Sequence, residues 1–437
     1  MIQIRKQFRE LNQQNKLVII IIIWNMLSPF LIGFFQVPRT LLYLTDVVNA
    51  FLFLCVVKGQ GGRIKRSAPI MWMLFFMLIC IVSALINATS PILAIWGMRQ
   101  NFRYFVFFYA CATVMNEKCI KVLMKIIEVV FWISLPLCVY EALFVTYSVG
   151  TIVGDMVGGI YYRVGGNAPL NIILCLYTCN IMLQCFEKKQ KFTKLLLVMA
   201  AAMSMAVLAE LKIFLVEIVV ITLYCAIVNK MNWKAILLII VGVLAINIVV
   251  NMFVAVNARG RSYYTSDLFS IESMIQYASR TSGYDGNGDL NRMTAIGELK
   301  NRFFDNDIMG LLFGRGIGSA EFSKSSTALT SEFYNQYSGL HYQYFGHAFI
   351  FIETGIIGLF TYLMIFISSL YKSIFRWKNK EWRKFYIMSL LLMSFLIFYN
   401  TTMRNEFCAY IMYAILAIPL SKPFEYSNCN EVSKYDS

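Results

Sequence analysis

Long apolar segments recur along this chain of 437 residues, and they limit its possible folds more than any other feature. A helix of roughly 20 apolar residues crosses the hydrocarbon core of a bilayer and satisfies its own backbone hydrogen bonds. Twelve segments approach or reach that length. The predicted spans are residues 17–35, 41–57, 69–87, 92–115, 122–146, 169–186, 195–210, 213–228, 235–256, 346–371, 385–400 and 405–420.

The composition excludes a water-soluble fold. Hydrophobic residues make up 59% of the chain and charged residues 14%, whereas soluble domains average about 45 to 50% apolar and about 25% charged residues. Disordered chains and coiled coils need more charge and fewer large apolar residues. We therefore predict an all-α polytopic membrane protein with about twelve transmembrane helices.

The positions of Lys and Arg predict the orientation of these spans. Most of the 39 basic residues fall in alternate connections, such as 1–16, 58–68, 187–194 and 372–384, and the short connections between these carry few. Loops rich in Lys and Arg remain in the cytoplasm. We therefore expect both termini to be cytoplasmic. The first span follows a polar segment and lacks a small-residue cleavage pattern, so we expect a retained anchor rather than a signal peptide.

One outer connection is long enough to fold by itself. Residues 257–345 separate the ninth and tenth spans and carry 8 basic and 9 acidic residues. Loops longer than about 15 residues are usually functional or disordered, and helical periodicity here favours a partly helical extracytoplasmic loop. Its near-neutral charge argues against a nucleic-acid partner. The predicted domains are residues 1–256 with spans one to nine, 257–345, and 346–437 with three spans and a cytoplasmic tail.

Charged residues within the predicted spans lie mostly toward the outer side, where they indicate a wet cavity. Arg99 and Arg103 are four residues apart and project from one helix face, on which two guanidinium groups can grip a phosphate or pyrophosphate. Anchoring at the membrane interface is the alternative for this pair. Lys212 is a further outer cation, and its alternative role is to neutralise Glu217.

The chain contains two histidines, His341 and His347, and both lie where the large loop enters the tenth span. Histidine is the side chain best suited to move a proton near neutral pH. Packing at the membrane interface is the alternative for each of them. Both are candidate site residues on this basis.

Four stretches of sequence resemble one family of membrane glycosyltransferases. Residues 346–359, GHAFIFIETGIIGL, are similar to the His-to-Gly-Leu segment of Wzy-type O-antigen and capsule polymerases and of O-antigen ligases. The GRGIGS of residues 314–319, the NRM of 291–293 and the RVGGN of 163–167 resemble the family's loop motifs. Ala348 departs from the Asn that usually follows the motif histidine in ligases. The resemblance therefore favours a polymerase over a ligase.

The resemblance implies a GT-C-like fold and a reaction at the outer face of the bacterial cytoplasmic membrane. The donor and the acceptor would both be undecaprenyl-diphosphate-linked oligosaccharides, with no cofactor and no metal ion. A chain-length regulator and a flippase are the implied protein partners. The implied substrate-binding residues are Arg99, Arg103, Arg163, Lys212, Arg292 and His341, and the implied proton acceptor is His347 or Glu353.

Several alternatives remain open from the sequence. Glu353 could be a buried carboxylate that bridges spans through hydrogen bonds. An O-antigen ligase would transfer the glycan to a different acceptor, a flippase or transporter would move the same lipid without chemistry, and a scaffold would have no activity. A transporter built from two similar bundles is disfavoured, because the two halves of the chain show no internal repeat.

Overall fold

The computed structural model describes residues 2–60, 66–147, 153–229, 289–323, 326–375, 377 and 379–421. The ninth predicted span, 235–256, and residues 257–288 of the large loop lie outside the described residues. The predicted domain boundary at residue 256 lies outside them as well.

The described residues form sixteen α-helices and no β-strand. The helices are α1 (Ile2–Arg9), α2 (Gln13–Phe35), α3 (Leu44–Gly59), α4 (Ala68–Ile86), α5 (Pro91–Val114), α6 (Glu117–Phe144), α7 (Val153–Met156), α8 (Asn167–Phe186), α9 (Phe192–Leu208), α10 (Lys212–Val228), α11 (Ala295–Phe303), α12 (Ile308–Phe313), α13 (Glu332–Tyr337), α14 (Gly346–Phe375), α15 (Lys380–Tyr399) and α16 (Glu406–Ala417). Short 3-10 turns extend or join several of them, including Arg39–Tyr43 before α3 and Thr402–Arg404 before α16.

Eleven of the twelve predicted spans coincide with helices in the described part of the chain. Within the described ranges, seven segments are long and apolar enough to cross a membrane: α2, Arg39–Gly59, α4, α6, α8, α14 and Trp382–Tyr399. The all-helical prediction is thus confirmed for the described residues, and these seven helices support a multi-pass protein embedded in a membrane. The described part of the large loop is partly helical, as predicted, and includes α11 over Ala295–Phe303.

Side chains at the helix starts explain several of the boundaries. Asn12, Asn116 and Asn405 cap α2, α6 and α16, each accepting a hydrogen bond from a backbone N–H of the first turn. Asn is among the preferred N-cap residues because it satisfies a donor that the helix cannot. Pro69 and Pro91 lie at the first turns of α4 and α5. Proline suits this position, since no N–H is needed there.

The outermost helices expose large apolar side chains on one face. On α3, Phe51 is 56% and Leu54 is 65% exposed, and Leu85 of α4 is 75% exposed. A soluble protein rarely exposes apolar patches of this size, whereas a lipid environment accommodates them. By contrast, α16 is buried on all sides from Phe407 to Ala417 and packs against α2 and α5. The bundle therefore has an internal helix whose first turn lies beside the candidate site.

Candidate functional site

A cavity of about 330 Å³ lies where the large loop meets α5, the Arg39–Tyr43 turn and the connection between α15 and α16. We call it the arginine cavity, because four arginines line it. Its charged lining residues are Arg39, Arg99, Arg103, Arg404, Glu321 and Glu406. The cluster collects cations from three separate parts of the chain, which is the arrangement expected of a site for an anion with several oxygens.

Helix α5 presents Arg99 and Arg103 to the cavity from successive turns. Arg99 Nε donates to Asp46 Oδ2 at 2.7 Å, and Arg103 Nη1 lies 2.9 Å from Glu406 Oε2. Arg103 Nη2 also donates to Gln100 Oε1 at 2.8 Å. Because each guanidinium has a carboxylate partner, both charges are compensated when the cavity holds no ligand.

Arg404 reaches the same cavity from the connection between α15 and α16. Its guanidinium lies 3.7 Å from the centroid of the Phe349 ring and forms an ion pair with Glu321. Similarly, the Arg99 guanidinium lies 4.7 Å from the Trp96 ring and 4.8 Å from the Tyr43 ring. Aromatic faces attract a cation and restrict its rotation. The guanidinium groups are therefore held in place before a ligand arrives.

A glycine-rich turn follows α12 at residues 314–319 and places Glu321 at the cavity. We call it the glycine turn. Gly318 has φ +86°, a backbone conformation that favours glycine. A Cβ on Gly97 of α5 would lie 2.5 Å from the Gly318 nitrogen, so the turn and α5 touch backbone to backbone. Glu321 N then donates to Gly318 O at 3.3 Å. Gly97 and Gly318 thus allow the close contact between α5 and the turn, and this contact sets the position of Glu321.

Residues 346–359 at the start of α14 contact the other side of this turn through Glu353. Helical geometry is interrupted at Gly355, with φ 65° and ψ −165°. The Glu353 carboxylate accepts hydrogen bonds from Gly318 N at 2.9 Å and Ala320 N at 3.4 Å. Ser83 Oγ donates to the Glu353 carbonyl at 2.8 Å. The Glu353 carboxylate therefore binds the turn, and its backbone carbonyl connects α14 to α4.

Burial and the neighbouring charges have opposite effects on the pKa of each member of the Glu321 and Arg404 pair. Burial raises the pKa of the Glu321 carboxyl, even though Arg404, Arg103 and Arg99 act to lower it. Burial alone would lower the pKa of Arg404, but the neighbouring Glu321 and Glu353 outweigh it and raise that pKa. Arg404 thus remains a cation at any working pH, and Glu321 is the partner whose proton affinity is adjusted.

Three buried N–H groups at the arginine cavity have no hydrogen-bond acceptor among the described residues. They are Arg103 Nε, Arg404 Nε and Trp96 Nε1. A buried donor without a partner costs roughly 1 to 3 kcal/mol, which an arriving acceptor recovers. A ligand oxygen would reach these covered groups only if the surrounding side chains moved.

No protein-family model matches the chain, and no curated protein is significantly similar to it in sequence. The functional assignment therefore rests on the geometry of the arginine cavity. Across the described residues, no group of three or more His, Cys, Asp and Glu side chains lies close enough to bind a metal ion.

His347 and Arg292 form a separate cluster and do not line the arginine cavity. His347 is 2% exposed, with Nε2 3.1 Å from Arg292 O and Nδ1 3.4 Å from Ile397 O. Arg292 Nε donates to Tyr399 O at 3.0 Å, and its guanidinium lies over the Tyr399 ring. The resemblance implied that His347 accepts a proton from the substrate that Arg99 and Arg103 bind. The structure instead places the imidazole between two backbone carbonyls.

Arg163 lies in the smaller loop between α6 and α8, with an exposed side chain. Its Nη2 donates to Thr146 O at 3.1 Å, and its guanidinium lies 5.3 Å from the Tyr147 ring. The neighbouring Val164 lines the arginine cavity. Arg163 therefore lies next to the cavity without forming part of its lining.

The backbone of this loop is fastened by Glu141, which is fully buried on α6. Glu141 Oε2 accepts hydrogen bonds from Gly158 N at 2.9 Å and Gly159 N at 2.7 Å, and Oε1 accepts from Arg163 N at 3.2 Å. A carboxylate is an acceptor at both oxygens, so it satisfies all three donors.

Replacing Glu141 with glutamine is expected to loosen the loop and to lower the free energy of unfolding by about 2 to 3 kcal/mol, because an amide N–H₂ would face backbone donors. Thermal unfolding in detergent and the rate of protease cleavage between 153 and 166 would measure this. Glu117→Gln is the control, since its ion pair with Lys121 is about half exposed and contributes little. Equal stability and equal cleavage for both variants would contradict the role of Glu141.

Lys212 and His341 also lie outside the lining of the arginine cavity. Lys212 begins α10 and interacts with Glu210 and Asp155. The Glu217 carboxylate, proposed as its neutralising partner, instead accepts a hydrogen bond from Asn171 Nδ2 at 2.7 Å. His341 Nδ1 lies 3.4 Å from Asp289 Oδ2, and its ring stacks on Tyr344.

Sequence reasoning missed four charged residues of the arginine cavity: Arg39, Glu321, Arg404 and Glu406. Two of them carried a usable signal, since Arg39 and Arg404 are isolated basic residues in outer connections that are otherwise nearly free of them. Glu321 follows the GRGIGS of residues 314–319, and this stretch does not indicate which residue its carboxylate meets. Its partner is 83 positions away, and no local pattern predicts such a pairing.

Proposed function

We propose that this protein is a polysaccharide polymerase of the bacterial cytoplasmic membrane. It joins oligosaccharide repeat units that are linked to undecaprenyl diphosphate, by transferring the growing glycan from its lipid pyrophosphate to a sugar hydroxyl of another unit. The proposal includes about twelve spans in a GT-C-like arrangement, cytoplasmic termini and catalysis at the outer face. A chain-length regulator and a flippase are its proposed partners.

The observation that carries this proposal is the convergence of four arginines on one cavity at the loop end of the bundle. Guanidinium groups bind phosphate oxygens in a bidentate manner, and a pyrophosphate offers enough oxygens for several of them. The cavity therefore supports binding of a diphosphate headgroup beside apolar helices that a polyprenyl chain can follow.

The same groups supply the chemistry of transfer. When the bond between the sugar and the phosphate breaks, negative charge develops on the departing diphosphate, and Arg99 and Arg103 would stabilise it. Removal of one such preorganised donor typically slows a reaction by about 100-fold or more. No cofactor or metal ion has a role in this scheme.

The lining of the arginine cavity also favours an enzyme over a transporter of the same lipid. A transporter needs polar groups along the full thickness of the membrane. Here the described charged lining comes from Arg99 and Arg103 in the second to fourth turns of α5, the start of α16, the Arg39–Tyr43 turn and the large loop.

The direct test uses the purified protein in proteoliposomes together with the lipid-linked repeat unit that accumulates in the source bacterium when the gene is deleted. A ladder of products, each longer by one repeat unit, is the expected result. A single transfer onto a different acceptor would indicate a ligase. Movement of the lipid between leaflets without any product would indicate a flippase and overturn the proposal.

A further inference from the structure

Glu321 is a buried carboxylate in the arginine cavity, and its position is set by its own backbone. The residue is 4% exposed and lines the cavity. Its N–H donates to Gly318 O, and its carbonyl accepts from Ser331 N at 2.9 Å. The carboxylate forms an ion pair with Arg404. A group held by backbone and side-chain contacts together is preorganised for chemistry.

The other carboxylates near the arginine cavity have different roles. Glu406 lies in the first turn of α16, pairs with Arg103 and has a side chain that is 25% exposed. Asp46 pairs with Arg99, and Glu353 accepts backbone N–H groups. Neither of the latter two is part of the lining. Among the described lining residues, Glu321 is thus the buried carboxylate.

The imidazole of His347 is poorly placed to accept a proton from a substrate in the cavity. Both of its ring nitrogens face backbone carbonyls, those of Arg292 and Ile397. A carbonyl oxygen only accepts hydrogen bonds, so the nitrogen facing Arg292 O at 3.1 Å must donate to it. The histidine therefore positions the segment at Arg292.

We propose that Glu321 accepts the proton of the attacking sugar hydroxyl, an assignment that rests on the proposed function. The hydroxyl oxygen forms a bond to the anomeric carbon of the donor sugar. The bond from that carbon to the phosphate oxygen breaks, and its electron pair leaves with undecaprenyl diphosphate. The hydroxyl proton moves to a Glu321 carboxylate oxygen, while Arg404 orients that carboxylate.

The electrostatics of the pair are consistent with this role. A carboxylate with an ordinary pKa is a weak base near neutral pH, and a general base works best when its pKa lies close to the working pH. Burial shifts the pKa of Glu321 upward, in the required direction. The rate of transfer should therefore increase with pH, because the protonated form of Glu321 is inactive. This rising limb of the pH profile should lie at a higher pH than the usual pKa of a carboxyl group.

The decisive variant is Glu321→Gln, which keeps the shape and an oxygen for Arg404 but cannot take up the proton. The rate at saturating lipid-linked repeat unit is expected to fall about 100-fold or more. The Kd for that lipid should change less than about threefold, because the arginines remain, and the rising pH limb should disappear. Glu298→Gln is the control, since Glu298 pairs with Arg302 on α11, away from the cavity lining. Its rate and pH profile should match those of the wild type.

A second variant, Glu321→Asp, keeps the carboxylate and separates chemistry from packing. It is expected to exceed Glu321→Gln in rate by about tenfold or more and to retain the pH limb. Equal rates for these two variants would overturn the assignment, as would loss of the pH limb in His347→Gln with its retention in Glu321→Gln. A wild-type protein that forms no product would instead overturn the proposed function itself, so the two failures are distinguishable.

Discussion

Replacing Arg103 with glutamine is expected to reduce polymer formation by about 100-fold or more. Arg103 is buried, has a spare Nε–H at the arginine cavity and lies beside Arg99 on one helix face. Its loss removes a cation that would contact the leaving diphosphate. The same change leaves the Glu406 carboxylate without its partner, so unfolding should also become easier by about 2 to 3 kcal/mol.

The double variant Arg103→Gln with Glu406→Gln separates these two effects. It removes both charges of the pair and should recover most of the lost stability, because two neutral amides can hydrogen-bond to each other. Polymer formation should not recover, since the cation is still missing. Product ladders and thermal unfolding measure the two quantities independently.

Arg302→Gln is the matched control for Arg103. Arg302 lies on α11, where it forms an exposed pair with Glu298 four residues earlier. Such a pair contributes less than about 1 kcal/mol, and the substitution should leave polymer formation within about twofold of the wild type. If the Arg103→Gln protein polymerises as fast as this control, the proposed binding of diphosphate in the cavity is wrong.

Replacing Gly97 with alanine is the second change with a large expected effect. The added Cβ would lie 2.5 Å from Gly318 N and 2.6 Å from Gly318 Cα, and backbone atoms cannot yield as a flexible side chain can. The glycine turn must move away from α5, at a cost of about 1 to 3 kcal/mol. Glu321 moves with the turn, so polymer formation should fall about 10- to 100-fold.

Gly297→Ala gives the contrast within the same chain. A Cβ at Gly297 meets nothing within 4 Å, and alanine favours a helix over glycine by about 0.5 to 1 kcal/mol. We expect this variant to be as stable as the wild type or slightly more stable, with unchanged polymer formation. Should Gly97→Ala behave in the same way, the close approach of α5 and the glycine turn would have no functional importance.

Helical structure and membrane insertion could be predicted from the sequence because they depend on local pattern. Long apolar runs and the asparagine and proline residues at their starts act within one helix, and the described helices begin close to the predicted positions. The pairing of Arg99 and Arg103 on one face also follows from helix geometry alone, since four residues make about one turn. Both residues line one cavity.

The roles of His347 and Glu353 in the motif at the start of α14 depend on the groups that their side chains contact in the folded protein. His347 and Glu353 are both side chains that can transfer protons, and their spacing predicted nothing about what they face. Glu353 faces the backbone of the glycine turn, and His347 faces the carbonyls of Arg292 and Ile397. Those contacts join residues about 35 to 55 positions apart.

The amino-acid sequence by itself determined a helical membrane protein with two arginines on one face of α5, because hydrophobic length and helical period are properties of single segments. Only the tertiary structure decided which charges meet. Arg404 reaches Glu321 across 83 residues, and Glu406 reaches Arg103 across 303. Such pairings follow from how α5, α16 and the glycine turn pack, and packing depends on the shapes of all their side chains together.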